Sequence, residues 1–146
     1  MVSSTIKKTT TELLRDLRRY KEFDSFLKHA ADYLKPTVFT EKLKALLEHD
    51  ARTRTDIARA ACISEIYLYQ ICTGKRIPTR DRILCLCIAL QPKLEDAQEL
   101  LRSCGYAPLT PRDRRDARII HAMLHGSTLF QADDSLIGIG ERSLLK

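Results

Sequence analysis

The sequence predicts an all-α fold, and two observations support this prediction. Apolar residues recur at intervals of three and four over much of the chain, the spacing that places them on one face of a helix. Five glycines and five prolines in 146 residues are too few for a β-protein with many turns, and they suit helices joined by short connections. The hydrophobic share of 44% is ordinary for a globular protein. We therefore expect a helical chain that buries a core of its own.

The first 38 residues predict an N-terminal helical arm made of two helices. Thr11 suits the N-cap of the first helix, which runs to about Tyr20. The second helix fits residues 22–34 and ends before Pro36. Its predicted apolar stripe consists of Phe23, Phe26, Leu27, Ala30 and Leu34. The arm is either a hairpin packed on the rest of the protein or an arm for dimerisation or partner docking.

Residues 39–105 make up the central predicted domain, which opens with a helix at 39–50. Thr40 suits the N-cap of this helix. The residues that face inward at helical spacing are Phe39, Leu43, Leu46 and Leu47.

Two short helices with a tight joint follow. The first is capped by Thr53 and runs to about Ala61, and the second is capped by Ser64 and covers about 65–72. Residues 62 and 63 form the joint. The inward residues of the pair are Ile57, Ala58, Ala61, Leu68 and Ile71. Two short helices with a small residue at their crossing and a cap just beyond the turn are typical of a helix-turn-helix.

The residues after the second short helix carry a family resemblance. They read I-x-x-G-K-R-x-P-T-x-x-x-I-L-x-L from Ile71 to Leu86, after Ile57-Ala58, Ile63-Ser64 and Leu68 in register. With these features, residues 39–105 resemble the lambda-repressor-like (Xre-type) regulators. The resemblance implies a sequence-specific DNA-binding regulator of transcription, in which the helix at 65–72 enters the major groove. The sequence departs from the family at Arg54, Cys62 and Cys72, where Gln, Gly and Glu are usual.

The candidate site lies on and around this recognition helix. Residues 65, 66, 69 and 70 share its outer face and are the candidate base readers: Gln70 can pair with adenine, Glu65 can accept from cytosine and Ile66 can pack on a thymine methyl. Arg54 and Thr55 lie at a helix start that suits a phosphate. Lys75, Arg76 and Arg80 follow the recognition helix and suit contacts with the phosphate backbone. The full predicted DNA-contacting set is Arg54, Thr55, Ser64, Glu65, Ile66, Tyr67, Tyr69, Gln70, Lys75, Arg76 and Arg80.

The composition of the recognition face leaves a second function open. Glu65, Ile66, Tyr67 and Tyr69 make this face acidic and apolar, whereas base-reading surfaces are commonly polar. Such a face suits a protein partner as well as DNA. The alternative is therefore a protein–protein interaction or adaptor module on a repurposed helix-turn-helix scaffold, for example in phage defence or kinase-linked signalling.

Residues 106–146 predict a C-terminal helical extension that is a weak repeat of residues 80–109. At an offset of 35 positions the identical pairs are Arg80/Arg115, Asp81/Asp116, Leu94/Leu129, Ala97/Ala132, Leu101/Leu136, Gly105/Gly140 and Leu109/Leu144. Each copy is expected to be a helix, a short joint, a second helix and a terminating glycine with positive φ. Such pairs stack to bury their apolar faces.

Charge and helix length together predict the partners. The net charge is +6, and residues 1–38 and 39–92 each contribute +3 while residues 93–146 are neutral. A basic surface favours a polyanion, here double-stranded DNA. We expect a homodimer, because one short helix reads too few bases to be selective in a genome. The apolar recognition face or the C-terminal helices are candidate surfaces for a protein partner.

The remaining features predict no enzyme, no metal site and no cofactor. There is no nucleophile elbow, phosphate loop or acid–base carboxylate pair, and the pair His121 and His125 has no third ligand at a convincing spacing. The five cysteines are expected to be reduced, with Cys85 and Cys87 as small core residues. No membrane span or secretory leader is evident, so a cytoplasmic location is expected.

Overall fold

The computed structural model describes residues 8–30 and 38–146. The regular structure in these ranges is helical, which confirms the all-α prediction for this part of the chain. The helices are α1 (Thr10–Arg19), α2 (Phe23–Ala30), α3 (Val38–His49), α4 (Arg54–Ala60), α5 (Glu65–Cys72), α6 (Arg80–Leu90), α7 (Leu94–Ser103), α8 (Arg114–Leu124) and α9 (Leu129–Gly138). Within the same ranges no helix has the length and apolar character needed to cross a lipid bilayer.

The chain divides into two compact units, residues 1–36 and residues 37–146. The first unit contains α1 and α2. The second contains α3 to α9, so the predicted segments 39–105 and 106–146 belong to one compact unit.

Helix α1 begins earlier than the sequence predicted, because Thr9 rather than Thr11 is its N-cap. The Thr9 side chain accepts a hydrogen bond from the backbone N–H of Glu12, and the Glu12 carboxylate accepts one from the backbone N–H of Thr9, each at 3.1 Å. This reciprocal capping box requires a Glu or Gln three residues after the cap. Thr9 has one at that position and Thr11 does not.

The apolar stripe predicted for α2 is only partly buried. Phe26 and Ala30 are buried, as expected, but Phe23 and Leu27 are exposed. Phe23 stacks on Phe26 with 5.9 Å between ring centroids, which covers one side of the Phe23 ring. The remaining member of the stripe, Leu34, lies outside the described residues.

Helix α3 begins at Val38, so Thr40 lies inside its first turn and is not the N-cap. The helix starts earlier because Phe39 continues, four residues upstream, the stripe formed by Leu43 and Leu47. These three side chains are buried, and Leu46 is partly buried against the same core. The inward face predicted for this helix is confirmed.

Helix α6 is the centre of the second unit. Every residue from Ile83 to Ala89 is buried, since α4, α7, α8 and α9 all pack against α6. A helix that is apolar on all sides must lie inside the protein rather than on its surface. Cys85 and Cys87 are fully buried in this run, where their small side chains fit the core.

Helices α4 and α5 form the pair that the sequence predicted, joined by a tight turn. The Thr53 hydroxyl accepts from the N–H of Asp56 at 3.1 Å, and the Ser64 hydroxyl accepts from the N–H of Tyr67 at 3.0 Å, so both predicted caps are confirmed. Cys62 has φ +56° in the turn, the left-handed conformation that glycine adopts without strain. Helix α5 also packs against α3, so its inner face is held by two helices.

The predicted repeat corresponds to two helix pairs, α6 with α7 and α8 with α9. Gly105 and Gly140 follow the second helix of each pair with φ +80° and +78°, as the repeat predicts. Leu101 and Leu136, which match at the repeat offset, are both fully buried.

Candidate nucleic-acid interface

The outer face of α5 is open to solvent and presents two large apolar side chains. Ile66 is 71% exposed and Tyr69 is 59% exposed. Both line a depression of about 360 Å³ whose other walls are Arg54, Glu65 and Leu68. In contrast, Ile71 and Cys72 on the inner face are buried. The helix therefore has one anchored face and one face available to a partner.

Glu65 is held at the start of α5 by the preceding helix. The Thr55 hydroxyl donates a hydrogen bond of 2.7 Å to Oε1 of Glu65, although the two residues are ten positions apart. The sequence placed Thr55 at a helix start that suits a phosphate, and in the structure its hydroxyl is engaged with Glu65. The bond ties the first turn of α4 to the first turn of α5 and orients the Glu65 carboxylate.

Three exposed cations surround this face. Nη1 of Arg54 lies 3.8 Å from the Cys72 sulfur. Lys75 and Arg76 follow the end of α5. Lys75 Nζ lies 5.7 Å from the centroid of the Tyr69 ring, and the Arg76 guanidinium carbon lies 5.6 Å from the centroid of the Tyr67 ring. These cation–π contacts favour defined positions for both cations beside α5.

Three further members of the predicted set have supporting roles in the structure. Ser64 caps α5, and Tyr67 is half-buried against the core beneath Arg76. Gln70 is half-buried, and its backbone carbonyl accepts from the N–H groups of Lys75 at 2.9 Å and Arg76 at 3.2 Å. These contacts shape the start of the loop that follows α5 and carries Lys75 and Arg76.

Arg80 differs from the other predicted cations because its guanidinium pairs with a carboxylate of the protein. Its guanidinium donates to both carboxylate oxygens of Asp116 at 3.3 and 3.1 Å, and its Nε donates to the carbonyl of Ala107 at 3.1 Å. These bonds direct the guanidinium to the segment after α7 and to α8. The structure therefore shows Arg80 bonded within the protein, whereas the sequence assigned it to a phosphate.

Ile77 is a member of the exposed surface that the sequence analysis missed. It is 76% exposed in the loop between α5 and α6, directly after Arg76. The Tyr106 hydroxyl donates a 2.8 Å bond to the carbonyl of Pro78, which fastens this loop to the segment after α7. The signal in the sequence was an apolar residue between Arg76 and Pro78, outside any helix that could bury it.

Further potential ligand groups of the described residues include cysteine thiols and one close pair of imidazoles. Burial raises the pKa of the Cys72 and Cys104 thiols, and it raises the pKa of Cys85 and of Cys87 to about 12. The rings of His121 and His125 lie 4.2 Å apart, centroid to centroid. Across residues 8–30 and 38–146, no group of three or more His, Cys, Asp or Glu side chains is arranged to hold a metal ion.

Comparisons with protein-family models, curated proteins and solved structures find no match to this chain.

Proposed function

We propose that this protein is a sequence-specific regulator that binds double-stranded DNA, with α4 and α5 acting as a lambda-repressor-like helix-turn-helix. Helix α5 would lie in the major groove, which is wide enough to admit one α-helix. The observation that carries the proposal is the exposed outer face of α5 with the cations Arg54, Lys75 and Arg76 beside it. An accessible helix flanked by positive charge is the arrangement that groove recognition requires.

The cations supply the sequence-independent part of the affinity. Arg54, Lys75 and Arg76 have exposed side chains that can reach phosphates on either side of a groove-bound helix. Arg80 is left out of this set, because its guanidinium is bonded to Asp116. Each phosphate contact releases condensed counterions, so the affinity falls as salt concentration rises.

Three attachments of α5 to the rest of the protein support a role in base readout. Its N-terminus is capped by Ser64, its first turn is tied to α4 through Glu65 and Thr55, and its inner face packs in the core. A reading helix must hold its side chains in a defined register against the base edges, and these three attachments provide it.

The length of the reading helix supports the proposal of a homodimer. Helix α5 has eight residues, of which its exposed face can address only a few base pairs. Two copies on neighbouring half-sites would double the number of bases that are read. We therefore propose that two copies of the chain bind a palindromic site.

A protein-interaction module is the second candidate, and the apolar exposure of Ile66, Tyr69 and Ile77 favours it. Exposed apolar side chains are typical anchors of protein interfaces. In that case these three residues would be the energetic centre of a protein complex, and any DNA binding would be weak and indifferent to sequence.

The deciding experiment is selection from random duplex DNA by the purified full chain at two salt concentrations. The proposal predicts enrichment of a defined sequence motif at both salt concentrations, with weaker binding at the higher one. Failure to enrich any motif, together with loss of all binding at the higher salt concentration, would favour the protein-interaction module.

A further inference from the structure

Ile66 and Tyr69 are the large, mainly apolar side chains that are exposed on the outer face of α5. Ile66 and Tyr69 are three residues apart, so they are neighbours on the helix surface, and both line the same depression. The amino group of Lys75 lies against the Tyr69 ring and favours one position for that ring. The two side chains therefore form a preorganised apolar contact surface.

The polar groups of the same face are partly engaged within the protein. Oε1 of Glu65 accepts the Thr55 hydroxyl, which leaves the other oxygen as the more available acceptor. The Thr73 hydroxyl donates to the backbone carbonyl of Tyr69 at 3.0 Å. The Gln70 side chain belongs to a half-buried residue. Hydrogen-bond readout by this face therefore falls to few groups, chiefly Glu65, and Ile66 and Tyr69 supply its apolar part.

The major groove presents one apolar group to such a surface, the C5-methyl group of thymine. A methyl group at the same position distinguishes 5-methylcytosine from cytosine. Both are pyrimidine C5-methyl groups, and both project from the base edge into the groove. The exposed cations beside α5 would hold the negatively charged duplex close enough for this contact.

We propose that Ile66 and Tyr69 recognise pyrimidine C5-methyl groups in the major groove. This inference rests on the proposed DNA-binding function and names what the apolar part of the site reads. Burial of one methyl group contributes about a fourfold change in affinity, and a site with several such contacts would build its selectivity from them.

The test removes single methyl groups from the DNA rather than from the protein. In the duplex recovered by selection, each thymine is replaced in turn by deoxyuridine, which lacks only the C5-methyl group. In a second arm, each cytosine is replaced by 5-methylcytosine. Affinities of the full chain are measured for every duplex. We expect about a fourfold loss at one or more thymines, or a comparable gain at one or more methylated cytosines. The first result assigns the contact to thymine and the second assigns it to 5-methylcytosine.

The protein variants assign the methyl contact to α5. In the double variant Ile66→Ala with Tyr69→Ala the response to methyl removal or addition should shrink towards zero. Ile137→Ala, which truncates an exposed isoleucine on α9, should retain the full response. Equal affinities for all duplexes with the unmodified protein, or a full response retained by the double variant, would overturn the inference but not the proposed binding to duplex DNA. Absence of all duplex binding would instead refute the proposed function and the inference together.

Discussion

Arg80 and Asp116 form an ion pair between α6 and α8, with 3.1 Å between Nη2 and Oδ2, and Arg115 forms the converse pair with Asp81 at 3.0 Å. Arg115 is the counterpart of Arg80 in the repeat, and Asp116 is the counterpart of Asp81. The arginine of each copy thus pairs with the aspartate of the other copy. Two subunits related by a twofold axis make reciprocal contacts of this kind.

The backbone partners of the two arginines repeat in the same way. Arg80 lies within hydrogen-bond distance of the carbonyls of Ala107 and Pro108, and Arg115 lies within the same distance of the carbonyls of Arg142 and Ser143. These acceptors are again 35 positions apart. The repeat therefore forms an internal pseudo-dimer in which each arginine joins its own copy to the opposite one.

The first prediction concerns the stability that this network provides. Arg115 is buried, and its guanidinium donates to Asp81, Arg142 and Ser143. Replacing Arg115 with Ala should lower the free energy of unfolding by about 3 kcal/mol, because the acceptors around it lose their partner. Urea denaturation followed by circular dichroism measures the change. Arg112→Ala, which alters an exposed side chain nearby, should change it by less than about 0.5 kcal/mol. Similar values for both variants would show that the network is unimportant to stability.

The second prediction concerns the turn between α4 and α5. At φ +56° the backbone of Cys62 is strained, because any residue except glycine places a Cβ atom close to its own backbone there. Cys62→Gly should therefore be more stable than Cys62→Ala by about 1 kcal/mol. Both variants remove the thiol, so their difference isolates the backbone effect. At Ala60, the last residue of α4, the order should reverse, with Ala60→Gly losing up to about 1 kcal/mol of unfolding free energy. An alanine at position 62 that equals or exceeds glycine would contradict the turn geometry.

The third prediction is a loss of stability in alkaline solution. Burial raises the pKa of the Cys85 and Cys87 thiols to about 12 from an ordinary 9.0, so above pH 9 the unfolded chain loses these protons first. Stability should therefore fall between pH 9 and 12, by about 1.4 kcal/mol per pH unit for each thiol. The slope of unfolding free energy against pH should be shallower in the double variant Cys85→Ala with Cys87→Ala. An identical slope in the two proteins would mean that the two thiols ionise in the folded protein with their ordinary pKa of 9.0.

The fourth prediction separates the cations that contact DNA from the one that is bonded within the protein. Arg54→Ala, Lys75→Ala and Arg76→Ala should each reduce the slope of log affinity against log salt concentration by about one. Arg80→Ala should leave that slope unchanged, because its guanidinium is bonded to Asp116. Binding isotherms at four or more salt concentrations measure the slopes. A reduced slope for Arg80→Ala alone would reverse the assignment.

The helices, the caps at Thr53 and Ser64 and the glycine stops could be predicted because each depends on a few residues close together in the sequence. The bonding of Arg80 could not be predicted, since Asp116 is distant in the chain. A basic residue after a recognition helix has the same local pattern whether it contacts a phosphate or a carboxylate of the protein. The engagement of Thr55 with Glu65 was hidden for the same reason. Tertiary partners of polar side chains are decided by packing, which local spacing does not encode.

The weakness of the repeat in the sequence also has a structural explanation. Leu86 in α6 is buried, whereas its counterpart His121 in α8 is exposed. Helix α6 is covered on all sides and must be apolar throughout, but α8 keeps a face in solvent and carries polar residues there. Identity survives where both copies make the same contact, as at the arginines, aspartates and terminal glycines.

The central claim is that the outer face of α5 reads base edges, and the base preference of a Glu65→Ala variant tests it most directly. Glu65 begins α5, and Thr55 orients its carboxylate. Selection from random duplex DNA with the unmodified chain and with Glu65→Ala should return motifs that differ at one base pair, where the variant is less selective. The variant should also bind the original motif about 1–3 kcal/mol more weakly while its affinity for unrelated duplexes is unchanged. Identical motifs and identical affinities for the two proteins would contradict the placement of α5 in the major groove.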